Sequence, residues 1–395
     1  MKKISIAMYS TVKGSGWKSD QICLLKENGK NKFSYLKYGI KRRKEKEAKN
    51  EKLSYIPMVL SSLYYRIANI FGAKKYYGYM LGEELFGLIY KNKILVDSSS
   101  LVLCKARPIS IINKLTNSDK KIVLEYSEMH PEFMARVLLE EYIKFNISVK
   151  NRYIFTDVKA VNDSKIAIEK ADKIIVLNKE SKNSFINEGI DDTKLCVLNL
   201  PAKSRLNNNA RIKLSTHGET TFISTAFHSF VKGTHRLLLA WREANITDST
   251  LMIVGPLNKD IQQFIKDNGP FKRVKYTGRV DIKSLYSSLV RPVGISLSYA
   301  EGFSRSTLEY LEHGFPVIVS KVCTLDTIKN EVQGFIVDTN DNTKIVETLR
   351  LMAKDRNLYS ELVSNIQSGH CMNLLTDEEY VEGLEQIFDE VINEN

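Results

Sequence analysis

The stretch YAEGFSRSTLEYLEHGFPVI, residues 299–318, places a glycine turn and a helix start directly after an apolar run. That run, VGISL at 293–297, predicts a buried parallel strand. Leu308, Leu311 and Glu312 then begin a helical pattern, which Gly314 and Pro316 close. Glu301 falls at the turn and Glu309 lies eight positions on, inside the helix. A helix opened by Ser304 or Ser306 presents free backbone N–H groups and the positive end of its dipole, which suit a diphosphate. One carboxylate stands ahead of that anion site and another about two turns along it, and each can accept hydrogen bonds from a polyol.

Working outward, strand and helix patterns alternate. ISIAMY (4–9) predicts a first strand, followed by a loop holding Gly14 and Gly16 and a helix from Ser19. The loop permits close backbone approach to a ligand, but lacks the third glycine and the acidic partner of a dinucleotide fingerprint. ILVDSS (94–99) and KIVLEYS (121–127) predict buried parallel strands. Glu128, His130, Pro131 and Glu132 follow the second, then a helix to about Tyr142. A histidine just past a strand's carboxyl end lies where open α/β sheets place their ligands.

ADKIIVLNKESKNSFINEGIDDTKLCVLNLP (171–201) predicts strand, helix ended by Gly189, and outgoing strand. TTFISTAF (220–227) is a strand, followed by Lys232, Gly233 and the helical THRLLLAWREA. A lysine at such a junction can set a point charge on a phosphate. STLMIVGP (249–256) ends at Gly255-Pro256, and RVKYTGRV (273–280) ends at Gly278, Arg279 and Val280. DIKSLYSSL predicts a helix, and TDEEYVEGLEQIFDEVINEN an amphipathic, Asp-capped one.

This alternation predicts doubly wound α/β sheets. The expected divisions are an amino-terminal domain at 1–200, a polar, Asn-rich linker at 201–219, a second domain at 220–375 and a terminal helix at 376–395.

Composition agrees with a two-domain globular protein: 395 residues, 43% hydrophobic and 26% charged. Cys23, Cys104, Cys196, Cys323 and Cys371 are odd in number and lack C-x-x-C spacing. They predict reduced cytosolic thiols, with no disulfide frame and no structural zinc. MKKISIAMYSTVKGSG has too short an apolar run for a signal peptide, and the best transmembrane candidate, 53–71, contains Pro57 and Arg66.

The net charge of +12 is uneven: residues 1–200 hold 36 Lys and Arg against 22 Asp and Glu, and the remainder 22 against 24. A basic amino half predicts an anionic partner. No nucleic-acid-binding signature stands out. An anionic membrane surface fits better, because KYGIKRRKEKEAKNEK (37–52) precedes LSYIPMVLSSLYYRIANIFGAKKYYGYML. The alternative is a solvated helix followed by a core helix.

E-G-F, a hydroxyl cluster, L-E and then G-x-P-V-I-V-S resembles the nucleotide-sugar motif of retaining GT-B glycosyltransferases, particularly family four, whose pattern reads E-x7-E. The likeness covers about 220–350 well, and the amino half in outline. It implies two Rossmann-like doubly wound α/β domains facing across a cleft, with a nucleotide-diphosphate-sugar held mainly by the second. Gly14 and Gly16 would then close over the cleft, and His130 would face the transferred sugar, with Glu128 or Glu132 assisting at the acceptor.

Lys232, the helix start at Ser304, Ser306 and Thr307, and Arg305 would stabilise the leaving diphosphate. Glu301 with the N–H groups of Gly302 and Phe303 would position the sugar, and Glu309 would bind the ribose. Gly255, Gly278 and Val280 would border the nucleotide. With no D-x-D pair, neither metal nor cofactor is expected. The acceptor would be a glycan hydroxyl, lipid-linked in cell-envelope synthesis or else soluble, at the cytoplasmic face of a membrane.

One departure stands out. Relatives carry an arginine six residues before the lysine, and Ala226 occupies that place. His228, His235 or Arg305 would have to supply the charge. The rival readings are a non-catalytic sugar-nucleotide-binding or partner subunit, and a GT-B epimerase or phosphorylase.

Overall fold

The computed structural model describes residues 2–11, 24–25, 32–41, 50–71, 76–105, 107–202, 218–369 and 374–394. Gly14, Gly16, the basic run 42–49 and linker positions 203–217 lie outside the described residues.

The first sheet holds β1 (Lys3–Thr11), β2 (Ser34–Ile40), β3 (Glu51–Ser54), β4 (Leu101–Cys104), β5 (Lys121–Tyr126), β6 (Lys173–Val176) and β7 (Leu195–Val197). The second holds β8 (Thr220–Thr225), β9 (Ser249–Val254), β10 (Val274–Gly278), β11 (Pro292–Ser296), β12 (Val317–Ser320) and β13 (Gly334–Val337). Every pairing between these strands is parallel among the described residues. The central strands are accordingly buried along their whole length, as in LVLC of β4 and PVGIS of β11. Helices cover both faces of such strands.

The strand orders are β3-β2-β1-β4-β5-β6-β7 and β10-β9-β8-β11-β12-β13. Each sheet therefore reverses direction beside its first strand, between β1 and β4 and between β8 and β11. Ligands bind at the carboxyl ends of strands at such points.

Residues 94–96 close the helix Tyr76–Val96, and the strand expected at 94–99 is instead β4, a few residues later. ILV continues the apolar pattern of the preceding helix, so an apolar triplet alone did not separate the two. Part of the basic run is also strand: Lys37 lies in β2 and is buried. The terminal helix Asp377–Asn393 is capped by Thr376 rather than by aspartate. Thr376 and Glu379 form a reciprocal capping box.

That helix packs on the first sheet, where Tyr35 donates to Glu385 (2.8 Å). The helix Pro131–Lys144, from the first half of the chain, is built into the core of the second. Met134, Leu138 and Tyr142 join Phe230, Leu237 and Phe264 in one apolar cluster. Glu141 anchors it there, accepting from His235 Nε2 (2.7 Å) and Arg236 Nε (2.8 Å). Burial disfavours the Glu141 carboxylate, but these two partners outweigh it and hold its pKa down, at about 2. Among the described residues no helix is long and apolar enough to cross a membrane.

Candidate active site

Beyond β8 the chain makes a single 3-10 turn, Phe230–Lys232, ended by Gly233 at φ 65°. A Cβ on Gly233 would lie 1.9 Å from the Leu297 carbonyl oxygen, so only glycine lets this turn sit against the end of β11. The turn brings Lys232 to Glu301, with which it forms a hydrogen-bonded ion pair. Burial opposes the lysine's charge, but the Glu301 carboxylate more than offsets this and raises its pKa. Ser298 Oγ donates to the same carboxylate oxygen (3.2 Å).

Beyond β11 the chain turns through Glu301, Gly302 and Phe303 into the helix Arg305–Glu312. Ser304 is its N-cap residue but leaves the backbone N–H groups uncapped, because its hydroxyl is taken by Thr307 Oγ1 (2.7 Å). Arg305 is exposed and has no ion-pair partner among the described residues. Lys232, Glu301, Gly302, Phe303, Arg305 and Ser306 all line one cavity of about 450 Å³ between the two sheets. Ala226 lines it too.

The structure distinguishes the three groups considered as substitutes for an arginine at 226. His228 is fully buried, bonded to Thr234 (3.0 Å) and to the Val254 carbonyl (3.1 Å), and burial lowers its pKa to about 4. His235 is buried against Phe230 and held neutral in the same way. Of the three, only Arg305 is a cation lining the cavity.

Gly255, Gly278, Val280, Ser304, Thr307 and Glu309 do not line this cavity. Gly255 packs on Ala226 and donates to the Gly278 carbonyl (2.9 Å), joining the loops after β9 and β10. Val280 is exposed beside them. Glu309 sits near Tyr286 and Tyr310, whose pKa values are raised first by burial and further by its charge.

His130 is placed differently from expectation. Its ring packs edge-on against Phe185, centroids 5.1 Å apart, and its backbone N–H donates to Ser184 (2.9 Å). Buried there, it has a lowered pKa and does not line the cavity. Glu128, not His130, lines the cavity. Glu132 turns outward to Lys165 (2.6 Å). His130, Glu132 and Glu188 place ligand atoms within 4.8 Å of one another. Lys165 and Arg136 already pair with the two carboxylates, which disfavours a dication there.

The sequence reading missed two features of the first domain. Asn178 caps the helix Lys179–Asn187 through its Oδ1, while its Nδ2 donates across the cleft to the carbonyls of Glu301 (2.9 Å) and Gly302 (2.7 Å). An N-cap asparagine is visible in sequence, but its second partner, 124 positions away, is not. A second cavity, of about 340 Å³, adjoins the first, with Glu128, Tyr153 and Phe155 forming a wall of both. Tyr65, Tyr79, Tyr126 and Arg107 line its far side. Arg107 lies over the Tyr126 ring (4.9 Å) and 3.5 Å from Glu128. Tyrosine faces beside an Arg–Glu pair suit a sugar ring, which offers both an apolar C–H face and vicinal hydroxyls.

Residues 207–368 match the glycosyl transferases group 1 family. Two Rossmann-like sheets facing one cleft form the GT-B fold, and solved structures share it. Sucrose-phosphate synthase from Thermosynechococcus elongatus superposes with a TM-score of 0.67 at 16% identity, over 100% of both chains. HepE from Anabaena, in complex with UDP and glucose, gives 0.61 at 15% identity, over 99% of this chain and 100% of that one. A TarM variant from S. aureus, in complex with fondaparinux, α-GlcNAc-glycerol and UDP, gives 0.55 at 14% identity. There 78% of this chain is covered but only 58% of TarM. No curated protein matches the sequence.

Proposed function

We propose that this protein is a retaining glycosyltransferase, moving a sugar from a nucleotide-diphosphate-sugar to a hydroxyl of an acceptor glycan. The observation that carries the reading is the convergence of Lys232, Glu301, Arg305 and an uncapped helix start on one cavity at the switch point of the second sheet. The group 1 match over 207–368 and the UDP bound in HepE and TarM support this donor class and make UDP the first nucleotide to test.

Breaking the sugar–phosphate bond builds negative charge on the diphosphate and positive charge on the anomeric carbon. Lys232, Arg305 and the N–H groups of the helix start meet the first. These cations take the part a metal would otherwise play, so the reaction is proposed to be metal-independent. Glu301, with the N–H groups of Gly302 and Phe303, orients the sugar, and Glu309 meets the ribose.

The acceptor occupies the neighbouring aromatic cavity, with Glu128 directing its hydroxyl toward the shared wall. The acceptor oxygen bonds to the anomeric carbon on the face the diphosphate leaves, and its proton passes to the departing phosphate oxygen. A lipid-linked glycan at the cytoplasmic face of a membrane is the proposed acceptor. The second reading, a non-catalytic sugar-nucleotide-binding subunit, rests on Ala226, which puts a methyl where relatives carry a cation.

The test of retention is the proton NMR spectrum of the product formed from an α-linked donor. An α-glycoside supports the reading, and a β-glycoside overturns it.

A further inference from the structure

We infer that the helix Ile56–Phe71 is the face by which this protein lies on an anionic lipid bilayer. Ile56, Val59, Leu60, Leu63 and Ile67 are each 38–51% exposed. Their spacings of three and four place all five within roughly a 100° arc, at about 100° per residue. The opposite side of the helix is the packed one. Pro57 and Ser61 are buried, and Ser61 Oγ donates to the Gly78 carbonyl (2.7 Å). A contiguous apolar stripe of this kind is rare on a soluble surface without a partner. Leu81 and Leu88, seven apart on the neighbouring helix Tyr76–Val96, are also exposed.

Charge decides the occupant. The helix carries no acidic residue, and its one charged side chain, Arg66, is exposed beside the stripe. Lys52, just before the helix, is exposed, and residues 1–200 together hold 36 Lys and Arg against 22 Asp and Glu. A helix with an apolar stripe and flanking cations lies in the plane of the headgroups, its stripe in the acyl boundary and its cations on lipid phosphates. At 16 residues it is too short to span a bilayer.

The geometry also links this face to the second cavity. Tyr65 lines that cavity and leaves the helix on the side opposite Ile56 and Ile67. One helix would therefore rest on lipid and wall the acceptor pocket, so that a lipid-borne acceptor reaches the pocket without leaving the bilayer. Only this last link rests on the glycosyltransferase reading; the docking itself does not.

The experiment is flotation of the full chain and of a Leu63→Glu/Ile67→Glu variant. The vesicles are phosphatidylcholine alone, and phosphatidylcholine with phosphatidylglycerol. UDP titration and thermal melting of both proteins serve as controls for nucleotide binding and folding. The wild type is expected to float with the anionic vesicles and far less with the neutral ones. The variant should lose at least about tenfold in partitioning while melting and binding UDP as the wild type does.

A folded variant that floats undiminished overturns the proposal, as does a wild type that binds neither vesicle. A variant whose only change is from dimer to monomer, with no vesicle effect, also overturns it, because the stripe would then cover a second copy. Failure to bind UDP by both proteins, with flotation as expected, would count against the glycosyltransferase reading and leave the docking face standing.

Discussion

Replacing Gly302 by alanine should separate nucleotide binding from turnover. Gly302 belongs to the second domain, yet a Cβ there would lie 1.9 Å from the carbonyl oxygen of Ser127, in the first. The turn itself tolerates alanine, because Gly302 is not in the left-handed region. The clash therefore falls on the approach of the two domains. Relieving it needs a retreat of about 1 Å or more, which also stretches the Asn178 bonds to Glu301 and Gly302.

Overpacking of this kind costs about 1–3 kcal/mol, so the closed arrangement should be depleted roughly 5- to 150-fold. The assay is steady-state transfer, with UDP affinity by calorimetry alongside. The expected result is kcat/KM reduced within that range, with UDP affinity and melting temperature little changed. Wild-type transfer by Gly302→Ala would refute the reasoning, since the closed cleft would then be irrelevant to chemistry.

Further outcomes follow from the same site. Arg305→Ala should weaken UDP binding by about 1.5–3 kcal/mol, the worth of a hydrogen bond to a charged group, and calorimetry would expose an unchanged affinity. Glu301→Gln frees Lys232 from its ion pair, so UDP should bind more tightly while turnover falls; a variant that loses both would argue that Glu301 serves structure alone.

Stability should fall on acidification between about pH 6.5 and pH 4. His130, His228 and His235 all have lowered folded pKa values, so the unfolded chain binds their protons first. Asp260, pushed up to about 6 by burial, opposes this with one proton taken up by the folded state. The balance of one to two protons gives a loss of about 1.4–2.7 kcal/mol per pH unit, and urea titrations at pH 7 and near pH 5.5 would contradict it by a flat or rising midpoint.

Much of the second domain is legible in the sequence because its signals are local. β11, the turn at Glu301 and Gly302 and the helix closed before Gly314 follow one another within about twenty residues, each marked by its own residue types. Lys232 and Gly233 are equally local, since a left-handed glycine after a strand announces a tight turn.

The first domain is less legible where its structure depends on distant partners. Tyr65, Arg107, Glu128 and Tyr153 meet at one cavity although nearly ninety positions separate the first from the last. His130 looked like a ligand from its place after a strand, but Phe185 and Ser184, from another helix, hold it away from the cleft. Its neighbour Glu128 faces inward instead. No local pattern separates the two, because the direction of a side chain past a strand end is set by what packs around it. Arg305 was one of three candidate cations, and only the burial of His228 and His235 singles it out.

The most direct test of the account is release of nucleoside diphosphate from a panel of nucleotide-sugars, UDP-glucose first, by the wild type and by Lys232→Ala. The account predicts turnover of at least one donor, with the variant slower by about two orders of magnitude and its donor affinity much less affected, because phosphate charge grows in the transition state. Donor binding without turnover by the wild type, across the panel and with acceptor glycans supplied, would contradict it and leave a sugar-nucleotide-binding subunit in its place.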